Sequence, residues 1–291
     1  MLAVKAVEND TNKPSWYNEA RAWADASASA FYAFEVDKSV SDHRLVKLGS
    51  CWGGWGTAGN NPSYHSPGSF RVMKDYQQKF PNTLRNGYSA VAQSDWQKLI
   101  DTSHEVLRAV QCANDGALVP NWATIGTDSN GNILNTGDNF SGSGSAQYEY
   151  GAEAARTTFR VALDAAFYPE RSDEWSPYLG AFNRQLDDGY QQNTGSAFAA
   201  NTFAGCRGPN TDQTITMFGD WLNNAFISGP TYTALITADA TDTGHAAAML
   251  DAAGRQMAQS LPGSYYPRSW AMISNLMLNG AMESAGHTLK Q

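Results

Sequence analysis

The chain has 291 residues with 20 Lys and Arg against 28 Asp and Glu, a formal net charge of −8. That acidic balance leaves no basic face for nucleic acid, and no apolar run approaches the roughly 20 residues of a membrane span. A hydrophobic fraction of 42% provides for a buried core, while a charged fraction of 16% with 26 Gly, 9 Trp and 13 Tyr suits neutral polar ligands such as sugars, because Trp and Tyr join an apolar face to a polar handle.

In chain order, MLAVKAVEND lacks the basic-then-apolar pattern of a signal peptide. Leu2, Val4 and Val7 with Ala3 and Ala6 read as the last turns of a buried helix or as a short N-terminal one. Residues 14–34 place Trp16, Ala20, Trp23, Ala24, Ser27 and Phe31 on one helical stripe. Arg44 to Leu48 is a strand candidate. Residues 67–80 begin with Ser66 as N-cap and Pro67 in the first turn, with Phe70, Met73, Tyr76 and Phe80 facing inward. Residues 95–111 follow Ser94, with Gln97 at capping-box spacing, and turn Trp96, Leu99, Ile100, Leu107 and Val110 to the core. Further helices are predicted over 153–168, 174–190, 213–227 (Ile215, Phe218, Leu222, Ala225), 242–259 (Ala246, Met249, Leu250, Ala253, Met257) and 267–283. Gly/Asn/Ser-rich stretches at 49–66, 113–147 and 191–212 are too long for ordinary connections. With no composition break, residues 1–291 read as one all-α domain whose loops gather at one end and carry the site.

Several familiar signatures fail on inspection. Gly49-Ser50-Cys51-Trp52-Gly53 has the form of a nucleophile elbow, but the glycines, Asn60, Asn61 and Pro62 after it forbid the helix that motif needs. Cys51 therefore reads as packed or disulfide-bonded, and the odd count of Cys51, Cys112 and Cys206 leaves the pairing open. Asp128 to Asn132 starts like a calcium loop but lacks its Gly and its terminal Glu, so it reads as a turn. The histidines show no metal spacing, and His104 and His245 read as structural residues within helices.

Two segments carry more. Asn61-Pro62-Ser63-Tyr64-His65-Ser66-Pro67 leads from a Gly/Trp-rich loop into a helix. Glu153-Ala154-Ala155-Arg156, continued to Arg160, puts an acid and an arginine on one face at a helix start, where the helix dipole favours a carboxylate. With Gly116-Ala117-Leu118-Val119-Pro120-Asn121-Trp122 and the Tyr265-Tyr266-Pro267-Arg268-Ser269-Trp270 run, these segments resemble, in order, glycoside hydrolase family 8, the inverting endoglucanase, xylanase and chitosanase family.

The resemblance implies an (α/α)6 barrel with a cleft across its loop ends, extracellular or periplasmic work on a β-1,4-glucan of the cellulose type, and no cofactor. It makes Glu153 the general base, where the family has Asp, Arg156 its orienting partner and Tyr64 the holder of the attacking water. Trp52 or Trp55, Trp122 and Tyr265 are the expected sugar contacts, and Asn121 stands where the family has Asp. The family's general-acid motif and the second acidic motif after it are absent, so about three N-terminal helices are expected to be missing. Glu149, Asp138 and Asp220 are the weaker substitutes for the acid. The alternatives are xylan or chitosan as substrate, a carbohydrate-binding protein that has lost the chemistry, and a polysaccharide lyase or other sugar enzyme on the same barrel. A gap in the ring would bare the Trp16/Trp23/Phe31 helix and the Trp270/Ile273/Met277 helix, which predicts a homodimer.

Overall fold

A computed structural model describes residues 1–57, 59–81, 89–111, 117–136, 149–192, 206–207, 214–217, 225–241, 243–259 and 265–290. Asp138, Cys112 and Asp220 lie outside these residues. The helices run α1 (Leu2–Ala6), α2 (Tyr17–Phe34), α3 (Pro67–Lys79), α4 (Gln93–Val110), α5 (Ala152–Phe167), α6 (Ser172–Gln192), α7 (Ala225–Tyr232), α8 (Ala246–Gln259), α9 (Tyr265–Leu278) and α10 (Ala281–Lys290). Short strands join them: β1 (Val36–Asp37) pairs antiparallel with β2 (Leu45–Val46), and β3 (Ile125–Thr127) with β4 (Ile133–Asn135). β5 (Glu149–Tyr150) runs parallel to β7 (Thr214–Met217), which also pairs antiparallel with β6 (Cys206–Arg207).

Helix α5 organises the packing. Ala154, Ala155, Thr157, Thr158, Val161, Ala162, Ala165 and Ala166 are all buried, so small side chains surround most of its circumference. α3, α6, α7, α9 and α10 all approach it. A Cβ on Gly68 of α3 would stand 2.8 Å from the Asp164 Cα, so only glycine permits that approach. The main core gathers Leu107, Val110, Val161, Phe182, Ile227, Met249 and Met257 from five helices.

The α3, α4 and α8 stripes face inward as their spacing predicts, with Met73 and Leu250 partly buried. Five expectations need correction. In α2 the buried side holds Tyr17, Ala24, Ala28 and Tyr32, while Trp16 and Trp23 face solvent. The polar chain explains the rotation: Tyr17 donates to Glu8, Arg21 to Asp25 at 3.2 Å, and Tyr76 to Asp25 at 2.7 Å. Helix α4 has Ala92 at its N-cap, and Gln97 serves Lys74 and Asp101 rather than a capping box. Thr214-Ile215-Thr216-Met217 is a strand, because three consecutive β-branched residues favour a pleat. The 267–283 helix is two, broken where Gly280 takes φ +72°, a left-handed stop. His245 precedes α8 and meets Asp187 at 2.7 Å.

The Trp270 and Met277 side of α9 is covered within the chain. Trp270 stands edge-on to Phe159 of α5, 5.5 Å between centroids, and α1 packs against α10. Large apolar groups that do face solvent include Trp16 and Trp23 toward the start of α2, as the open ring would bare them, and Tyr265, Met272 and Leu276 on α9. Among the described residues no helix is long and apolar enough to cross a membrane.

Candidate active site

Helix α5 opens on Gly151, which has no side chain with which to cap the first free N–H groups. Asn121 reaches in from a remote loop to do so. Its Oδ1 accepts from the backbone N–H of Gly151 at 3.2 Å, Glu153 at 3.1 Å and Ala154 at 2.9 Å. A Cβ at Gly151 would stand 2.8 Å from Asn121 Nδ2, so glycine is what lets the amide approach. Asn121 thus has a role that needs no charge. Asn121→Ala is expected to cost about 1–2 kcal/mol, as for other lost caps, read as a lower urea midpoint at pH 7; an unchanged midpoint would count against the cap.

The cap places Glu153 in the first turn of α5, where two donors hold one carboxylate oxygen. Asn61 Nδ2 donates to Oε2 at 2.6 Å, and Arg156 Nη2 donates to the same atom. Asn61 is itself fixed: its Oδ1 accepts from Ser63 N at 3.0 Å and Ser63 Oγ at 2.7 Å, an Asx turn that opens the 3₁₀ turn Pro62–Tyr64. Its neighbour Asn60 exchanges backbone hydrogen bonds with Ala123 at 2.5 and 2.8 Å. The 60–64 and 121–123 segments are therefore tied to each other and both to the start of α5, and Trp270 covers the same helix.

Tyr64 stands half-exposed on the turn that supplies Asn61. It lines a cavity of about 320 Å³ with Phe31, Glu35, Val46, Lys47, Leu48, Ser63, Ser66, Ser69 and Arg160. Trp52 is exposed, on the loop beyond Leu48. Trp55 is partly buried, packs against the main core and tilts against His43 at 5.9 Å. Trp122 is half-buried beside the Asn121 cap, and Tyr265 is 82% exposed at the start of α9. Glu149 has its backbone in β5; its side chain lies outside the described residues. Cys51 is an exposed free thiol, not a packed or bridged one. Asp128 accepts from Asn130 N at 2.8 Å and Asn132 N at 2.9 Å, as the turn reading requires.

Sequence reasoning missed His65. Fully buried, it lies 3.1 Å from both Ser103 Oγ and Asn60 Oδ1. Asn60 Oδ1 can only accept, so Nε2 carries the proton and Nδ1 accepts from the Ser103 hydroxyl. Burial, and then the nearby His104, lower its pKa from 6.5 to about 3. The unfolded chain gains this proton below its ordinary pKa while the folded chain stays neutral down to about 3. Stability therefore decreases as pH is lowered through that window, by about 1.4 kcal/mol per unit. His65→Gln is expected to flatten the drop in urea midpoint between pH 7.5 and pH 5; equal slopes in both proteins would refute this account.

No protein-family model matches the chain, and no curated protein is significantly similar to it in sequence. Among solved structures it is similar to Rex8A from Paenibacillus barcinonensis complexed with xylose, at 15% identity and a TM-score of 0.50, covering 97% of this chain and 64% of that one. It also matches a mutant of a reducing-end-xylose releasing exo-oligoxylanase, at 13% identity and a TM-score of 0.49, again covering 97% of this chain and 64% of the other. The chain thus spans about 64% of the length of these structures. The likeness to Rex8A shows the fold: all-α, of the (α/α)6 barrel type found in glycoside hydrolase family 8.

Proposed function

We propose that the chain is a glycoside hydrolase domain acting on a β-1,4-linked polysaccharide with inversion, and that Glu153 is its general base. The observation that carries this reading is the Glu153 carboxylate, held through one oxygen by Asn61 and Arg156 at a helix start capped from afar. An acceptor so placed can take a proton from water as that water attacks the anomeric carbon. Arg156 fixes its orientation and the helix N-terminus favours its charge. Tyr64, on the turn with Asn61, holds the attacking water. Trp52, Trp55, Trp122 and Tyr265 are the sugar-contacting aromatics of this proposal. Inverting hydrolysis also needs a carboxylic acid about 6.5–9.5 Å from the base, on the leaving-group side. Glu153 is the base half of that pair.

Cellulose-type glucan is the backbone suggested by the motifs. Rex8A was solved with xylose, which brings xylan beside it. The test is incubation of the purified protein with xylan, carboxymethylcellulose and chitosan, following reducing ends and the anomer first released by NMR. Release of the inverted anomer from one of them supports the reading. Release of the retained anomer, or an unsaturated product from a lyase, would sink it. Binding without release on every substrate would favour a carbohydrate-binding protein instead.

A further inference from the structure

Glu153, Arg156 and Arg160 lie at i, i+3 and i+7 on α5, one face of the helix, with Arg160 about 10 Å along the axis from the acid. The two arginines differ in their surroundings. Arg156 spends its charge on Glu153. Arg160 has no ion pair among the described residues, and its buried Nε, like that of Arg156, has no hydrogen-bond partner. A buried, unpaired charged donor is costly unless a ligand satisfies it. Burial, and then the charge of Arg156, pull its pKa below the ordinary arginine value, while Tyr266 opposes that shift. An arriving anion would relieve both.

Arg160 also lines the Tyr64 cavity. Phe31, Val46 and Leu48 give that cavity an apolar wall, and Lys47 adds a second cation against the single acid Glu35. Its local balance is positive in a chain whose net charge is −8. Its volume of about 320 Å³ is at the lower end for small-molecule sites. An apolar wall beside a free guanidinium matches a sugar ring that carries a carboxylate: the C–H face lies on the wall and the carboxylate meets the planar fork.

We infer that the Arg160 cavity is an acidic-sugar subsite, which accepts the carboxylate of a uronic acid borne on the polysaccharide next to the Glu153 site. This rests on the hydrolase reading above and adds a specificity to it. Isothermal titration with a xylo-oligosaccharide bearing one glucuronic acid, beside the neutral oligosaccharide of equal length, tests it. The acidic ligand is expected to bind about tenfold tighter at low salt, with the preference shrinking as salt screens it. Arg160→Gln should abolish the preference and Arg160→Lys keep part of it. The salt dependence, measured on the wild-type protein, stands even if the variants fold poorly. Equal affinity for both ligands, or binding of neither, overturns the subsite, while the hydrolase reading is decided separately by the release assay on the three polysaccharides. If free glucuronate or inorganic phosphate binds as tightly as the acidic oligosaccharide, and in the same Arg160-dependent way, the cavity is a free-anion site and the proposal fails.

Discussion

Glu153→Gln is expected to lower turnover on the preferred polysaccharide by about 10²–10⁴-fold, the range that one acid–base group contributes, while oligosaccharide affinity stays within a few-fold. The geometry separates the two effects. Glutamine keeps an oxygen that can accept from Asn61 and Arg156, so the start of α5 and the Asn121 cap persist. What it loses is the ability to take a proton from water. Glu153→Asp keeps the carboxylate but draws it back by about one methylene, and a shift of that size costs about 10²-fold when it misplaces a reacting group. The ordering Glu, then Asp, then Gln is the signature of a base whose position matters. Wild-type turnover in the Gln variant would remove Glu153 from the chemistry. A parallel loss of binding and of thermal stability would reduce it to a structural acid.

How much of this site could be read in advance depended on distance along the chain. The stripes of α3 and α4 were legible because a 3.6-residue period needs no partner to be visible. The face of α2 is not legible from its spacing, because Tyr17 turns inward to join Glu8, Arg21, Asp25 and Tyr76. That network closes over as many as 55 positions of sequence. The strand β7 lies in a segment whose Ile215 and Phe218 satisfy a helical spacing while Thr214 to Met217 also fit a strand. Glu153, Arg156 and the 61–67 segment were found by their motifs. That Asn61 reaches Glu153 across 92 positions was not written in any local pattern. Gly151 stands at a helix start with no capping side chain, so the cap has to come from elsewhere in the chain. Asn121, which the resemblance sets against an acid, is in the structure the acceptor for three N–H groups at the start of α5.

Asp164→Ala is expected to destabilise the fold by about 3–5 kcal/mol, the cost of stranding a buried charge. Asp164 is fully buried near the far end of α5 from Glu153. Its Oδ1 accepts from Arg71 Nε on α3 at 2.9 Å, and its Oδ2 lies 3.1 Å from His104 Nε2 on α4. Arg71, itself only 5% exposed, also meets Glu174 of α6 and lies 5.7 Å from the Tyr168 ring. One carboxylate thus ties three helices together directly, and a fourth through Arg71. Alanine leaves the guanidinium with Glu174 alone and removes the partner facing the imidazole. Replacing the pair together, Arg71→Met with Asp164→Leu, removes both charges and fills the space, and buried pairs exchanged in this way are often near neutral. The double variant should therefore lose less than the Asp164→Ala single, despite carrying one more substitution, although Glu174 is then left without Arg71. Urea unfolding at pH 7 measures both. A loss below about 1 kcal/mol in Asp164→Ala would show that water or rearranged neighbours satisfy Arg71, and that α3, α4 and α6 are held on α5 by apolar packing rather than by this carboxylate.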